Sequence, residues 1–248
     1  MAAVVGTRNG VRTGTIQGAV AYRHALEMFS ARVRSVAPGQ WNSPTPCPDW
    51  DVRALVNHLT VEQLWAVPLL RGATPTMIGR RFDGDQLGEE PVAAWSRAAE
   101  AALTAWDAPC SWERTVNLSA GPTSSAEYGF QMTADLLIHG WDLARAIGVN
   151  QPFDPDLVRM VLVRLEPEVE RWRRMGIFGP YCPVAVNASD MTRLLALTGR
   201  RADWRPPRRL TSAGRWTSTQ PVGRKACGVG GSSRQAVGPG GRARAVSP

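Results

Sequence analysis

The sequence predicts a mainly α-helical protein with a short β or irregular excursion past its midpoint. Two observations carry this expectation. Apolar residues recur at intervals of three and four in one window after another, the period of a single helix face, and the windows are separated by Pro- and Gly-bearing stretches that cannot continue a helix. With 248 residues and 44% hydrophobic content, the chain has enough apolar side chain for a sizeable core.

Residues 1–14 read as a flexible N-terminus. A first helix is expected from Ile16 to about Val36, with Val20, Leu26, Phe29 and Val33 on its apolar face and Pro38 and Gly39 ending it. Pro44, Pro46 and Pro48 make the next segment a rigid connector, and Asp49 or Asp51 is placed to cap the helix that follows. That helix, about Asp51 to Leu70, carries Val52, Leu55, Val56, Leu59 and Leu64 along one face until Pro68 kinks or ends it. Residues 80–90 read as a polar loop. Pro91 suits a first helical turn, and Trp95, Ala99, Leu103 and Trp106 follow at helical spacing as core residues. Residues 112–128 mix strand formers with Gly121 and Pro122, the mark of a short hairpin or irregular excursion over one end of the helices. A helix from Ala126 to Ile147 stops at Gly148. Two more are expected: Asp154 to about Met175, with Val158, Val161, Leu162 and Leu165 inward, and Met191 to Leu197, capped by Ser189.

The chain has three histidines, His24, His58 and His139. Asp135 and His139 are four residues apart, so on a helix they project from one face and can grip one ion. His58 borders the apolar stripe of a separate helix, where its ring can point inward. Two imidazoles and one carboxylate make a divalent-metal site with positions left open. By spacing alone, a solvated carboxylate and a half-buried histidine are the commoner reading. Glu62, one turn after His58, reads as a solvated helix residue rather than a ligand. His24 reads as a surface or packing histidine, and Trp141 and Asp142 as structural.

The wording around these residues adds to the spacing. The stretches WNSPTPCPDWDVRALVNH (41–58), DLLIHGWDLARAIG (135–148) and MTRLLALTGRRADW (191–204) resemble the metal-binding domain of mycothiol-dependent maleylpyruvate isomerase and its DinB-like relatives. The resemblance spans about residues 15–204. It implies a DinB-like four-helix bundle with additional C-terminal helices, whose metal, usually zinc, is held by residues matching His58, Asp135 and His139. It also implies mycothiol as co-substrate: a small-molecule thiol held as thiolate and directed at an electrophile in a transferase or isomerase reaction. The isomerase carries Glu where this chain has Asp135, and nothing here resembles its second, C-terminal domain. The alternative is a non-catalytic stress or sensing bundle with a closed coordination sphere, its fourth ligand Glu62 or His24.

The net charge of +8 is unevenly placed. Nine of the 29 basic residues follow Asp203, from Arg205 to Arg244, with no acidic residue among them, which leaves 20 basic against 21 acidic before that point. Residues 205–248, rich in Arg, Gly, Ser and Pro, are expected to be a disordered basic tail. Lys225 is the chain's single lysine, so this Arg-rich composition reflects a GC-rich coding sequence, and nucleic-acid binding is disfavoured. Cys47, Cys110, Cys182 and Cys227 match no zinc-finger spacing, and Cys47 reads as a small hydrophobe. No Gly-x-Ser-x-Gly elbow or nucleotide-binding glycine loop is present. The first twenty residues hold no continuous apolar core, and no run approaches the roughly 18 apolar residues of a membrane span, so the expected setting is cytoplasmic. Pairing into a homodimer stays open.

Overall fold

The computed structural model describes residues 6–207, with side chains from residue 17 onward. Four long helices dominate it: α1 (Gly6–Arg34), α2 (Val52–Leu70), α4 (Pro91–Trp106) and α5 (Ser125–Ile147), with the single turn α3 (Pro75–Ile78) after α2. α1 packs on α5 and α4, and α2 packs on α4 and α5, so the four close on one another around a shared core. The described residues are mainly helical. The strands β1 (Thr115–Leu118) and β2 (Gly121–Ser124) form one antiparallel hairpin, Val116 opposite Thr123, where the excursion was expected. No helix among the described residues is long and apolar enough to cross a membrane.

Local chemistry explains the element ends. The Asp51 carboxylate accepts from the Ala54 amide at 2.8 Å and starts α2, and Ser124 accepts from the Glu127 amide to start α5. Gly148 closes α5 at φ 75°, a left-handed conformation that glycine takes without a Cβ penalty. Pro91 occupies the first turn of α4, as expected. Pro68 lies inside α2, which ends two residues later.

Two expectations need correction. α1 begins at Gly6, ten residues before the expected start. The expected helix from Asp154 to Met175 is two: α6 (Pro155–Leu165) and α7 (Val169–Arg174), joined by a 3-10 turn at Glu166–Glu168. Pro167 is the cause, since it lacks an amide hydrogen and its ring obstructs the carbonyl one turn back. The chain then closes with α8 (Asp190–Leu197), which packs on α6 and is capped by Ser189. The basic tail lies outside the described residues from position 208 onward.

The core is aromatic at one end. Trp106 packs on Tyr22, Trp112 and Tyr128, and Phe29 packs on Trp95. All the tryptophans of α4 are buried, as expected, whereas Val20 of the α1 stripe faces out. Gly129 permits the close approach of α5 to Trp112: a Cβ there would lie 2.3 Å from the indole ring. The Tyr22 hydroxyl donates to Gln63 Oε1 at 2.6 Å and ties α1 to α2 through the core.

Candidate metal centre

The centre is built between α2 and α5. His58 enters from α2, and its position is held by the loop that follows α3: Asn57 donates to the Gly84 carbonyl and accepts from the Gln86 amide at 2.7 Å, while Arg53 pairs with Asp85. Asp135 and His139 enter from α5, where every residue from Met132 to Ala144 is buried. The connector before α2 covers them. Its Thr45 hydroxyl donates to the Trp50 carbonyl and accepts from the Cys47 amide, so Trp50 stacks on His58 with ring centroids 4.6 Å apart.

The structure brings together all three residues singled out from the sequence. His58 Nε2 lies 3.0 Å from Asp135 Oδ2, and His139 Nε2 lies 3.3 Å from Asp135 Oδ1. One ligand atom from each falls within 4.8 Å of the others. Asp135 Oδ1 and His139 Nε2 are buried without a hydrogen-bond partner. Such orphaned atoms are costly inside a protein, and here they face each other as a set that, once His139 gives up its Nε2 proton, could hold a divalent ion. His24 is elsewhere, half-exposed and 3.2 Å from Asp154.

Behind His139 stands a second cluster that sequence reading did not assemble. His139 Nδ1 lies 2.9 Å from Asp142 Oδ2, the arrangement that fixes a ligating imidazole with its proton on Nδ1 and its lone pair on Nε2. Asp142 is fully buried and also accepts from Cys47 Sγ at 3.2 Å and from Arg200 Nη2 at 2.9 Å. Arg200 Nη2 also reaches Cys47 Sγ at 3.4 Å. Gly199 makes this reach possible: it turns the chain at φ 80°, and a Cβ there would lie 2.7 Å from Gly179 Cα. Asp142 is therefore the partner that orients His139 rather than a purely structural acid, and Cys47 sits in a polar cluster, not a hydrophobic one. The signal for Asp142 was present, three residues after His139. Arg200, 58 residues further on, gave none.

Charge follows this geometry. Burial alone would raise the Asp135 carboxyl, but the imidazoles of His139 and His58 outweigh it and hold it well below the usual carboxylate range. Burial would lower His139; Asp135 and then Asp142 reverse this and raise it to about 9. Asp142, which burial would also raise, is lowered to about 2 by Arg200 and His139. Glu62 contradicts its expected role as a solvated residue. It is only 5% exposed, Oε1 has no hydrogen-bond partner, and burial together with Asp135 raises its carboxyl well above the usual range.

Glu62, Tyr128 and Asp135 form part of the lining of a cleft of about 630 Å³, whose rim includes the turn of the hairpin, the start of α5 and the α6–α7 junction. The centre therefore has an adjoining space into which a second molecule could extend.

Fold and site together define a mainly α, DinB-like protein with a candidate metal centre of two histidines and one aspartate. The chain belongs to the mycothiol maleylpyruvate isomerase N-terminal domain family, whose model matches residues 22–144. An uncharacterized protein of Mycobacterium tuberculosis, in strains H37Rv and CDC 1551, is 32% identical over 142 residues, 56% of this chain and 71% of its own. The crystal structure of the mycothiol-dependent maleylpyruvate isomerase is similar with a TM-score of 0.52 at 14% identity, covering 65% of this chain and 72% of that one. At that identity, the likeness supports the shared helical fold.

Proposed function

We propose that the chain binds one zinc ion through His58, Asp135 and His139 and uses the open side of the site to hold mycothiol as a thiolate for transfer to, or isomerisation of, an electrophilic small molecule. The observation that carries this reading is the orphaned pair Asp135 Oδ1 and His139 Nε2, converging with His58 beside a cleft. When bound, zinc supplies a positive charge that stabilises sulfur in its anionic form at neutral pH. The chain's own residues do the rest. Asp142 keeps the His139 lone pair turned to the site, Trp50 shields the His58 ring, and the cleft positions the two reactants.

The family supplies the thiol in this proposal: the solved isomerase of this fold is mycothiol-dependent. A closed, non-catalytic centre is the weaker reading, because His24 is paired with Asp154 away from the site and Glu62 falls outside the set of ligand atoms within 4.8 Å. We assign the metal-binding unit to residues 15–204. The test is a transfer assay with zinc-loaded protein, mycothiol and a panel of electrophiles, including maleylpyruvate. Conversion of an electrophile that depends on protein, metal and mycothiol, whether the thiol is consumed or regenerated, supports the reading. Tight zinc binding without any thiol binding contradicts it.

A further inference from the structure

We propose that Glu62 is a catalytic residue of this centre: it accepts the proton of the thiol that enters the cleft. The proposal rests on the reading of the site as thiol-binding and adds a group that the metal-ligand pattern does not contain.

Three observations lead to it. Glu62 follows His58 by one helical turn, so its side chain leaves α2 on the same face as a ligand. Its Oε1 is buried with no partner, and it lines the same cleft as Asp135. The Tyr128 hydroxyl, across from it on α5, is also buried without a partner and lines that cleft. Two orphaned polar groups on opposite helices, each carried by a residue that lines one cleft, mark where a polar ligand group belongs. The charged and titratable groups around Glu62 are Asp135, His139 and Tyr128.

The carboxylate lies outside the compact ligand set, so the fit is to a group carried at the site rather than to the metal itself. A divalent ion held by His58, Asp135 and His139 would place positive charge beside Glu62, which would then hold the anionic form that takes a proton. In the step, the S–H bond breaks, its proton passes to Glu62 Oε1, and the electron pair stays on sulfur. When the sulfur adds to an electron-poor double bond, a C–S bond forms, and Glu62 returns the proton to the carbon that receives the π electrons.

The test counts protons. Mycothiol binding to the zinc-loaded full chain is measured by calorimetry in two buffers of different ionisation enthalpy near neutral pH, for wild type, Glu62→Gln and Glu62→Asp, with zinc content and helicity recorded beside each. In the wild type the proton stays on Glu62, so almost none is released to the buffer. In Glu62→Gln a whole proton is released per thiol bound, with zinc content unchanged. Glu62→Asp, one methylene short, gives release between the two and stands in if the Gln variant fails to fold. Equal release from wild type and variants overturns the proposal and leaves the thiol-binding function intact. Loss of zinc in a folded Glu62 variant also overturns it, because Glu62 is then a ligand. A zinc-loaded wild type that binds no thiol overturns both.

Discussion

His139 faces two clusters of similar make-up with opposite outcomes. On its Nε2 side, His58 and Asp135 gather with orphaned atoms and no guanidinium or ammonium group among them. On its Nδ1 side, Cys47 and Asp142 form an equally tight group, but Arg200 enters it and supplies both the charge and the hydrogen bonds. Each has three residues that could hold a metal. The comparison teaches that ligand type and proximity do not define a metal site: the side with a built-in guanidinium is satisfied, and the side without one is the candidate for an ion. The satisfied side serves the other by fixing the imidazole between them.

The largest effect should come from breaking the satisfied side. Arg200→Met leaves Asp142 buried without its cation and is expected to destabilise the fold by ~3–5 kcal/mol, read by urea unfolding. A change within experimental error would mean that Arg200 is dispensable to the cluster. Asp142→Asn separates the two sides more gently. It keeps the volume but weakens the hold on His139 Nδ1, and zinc affinity by chelator competition is expected to fall roughly 10–100-fold.

Glu62→Gln sharpens the contrast from the other side. In the metal-free protein the Glu62 carboxyl is raised in the folded state, so the stability it contributes is present below its unfolded value and is lost as pH rises towards the folded one. Melting temperatures of wild type and variant should therefore agree at pH 4 and diverge by pH 8, with Glu62→Gln the more stable by a few degrees, on the order of 1 kcal/mol. The smallest effect is expected for Cys47→Ala, which removes a thiol donor from Asp142 while Arg200 still pairs with the carboxylate. A loss of about 0.5 kcal/mol and unchanged zinc content are predicted.

Much of the fold was legible because its signals are local. The cap at Asp51, the proline opening α4 and the glycine closing α5 each act within one helical turn. Pro167 was equally local, yet the apolar period running through Val158, Val161 and Leu165 masked it. The three candidate ligands were legible through the four-residue spacing of Asp135 and His139 and through the motif around His58. Glu62 shared the same logic: a residue one turn from an inward-facing histidine faces inward too. Its acidic character favoured the solvent reading, and only the cleft reverses that. Arg200 was out of reach, because its contacts with Asp142 and Cys47 span 58 and 153 residues.

The most direct test of the central claim is the metal content of the full chain by elemental mass spectrometry, wild type beside His139→Ala and Arg200→Met. One zinc per chain in the wild type, none in His139→Ala, and zinc retained in whatever Arg200→Met remains folded is the pattern predicted for a poised side and a satisfied side. A wild type that holds no metal after reloading with zinc would contradict it.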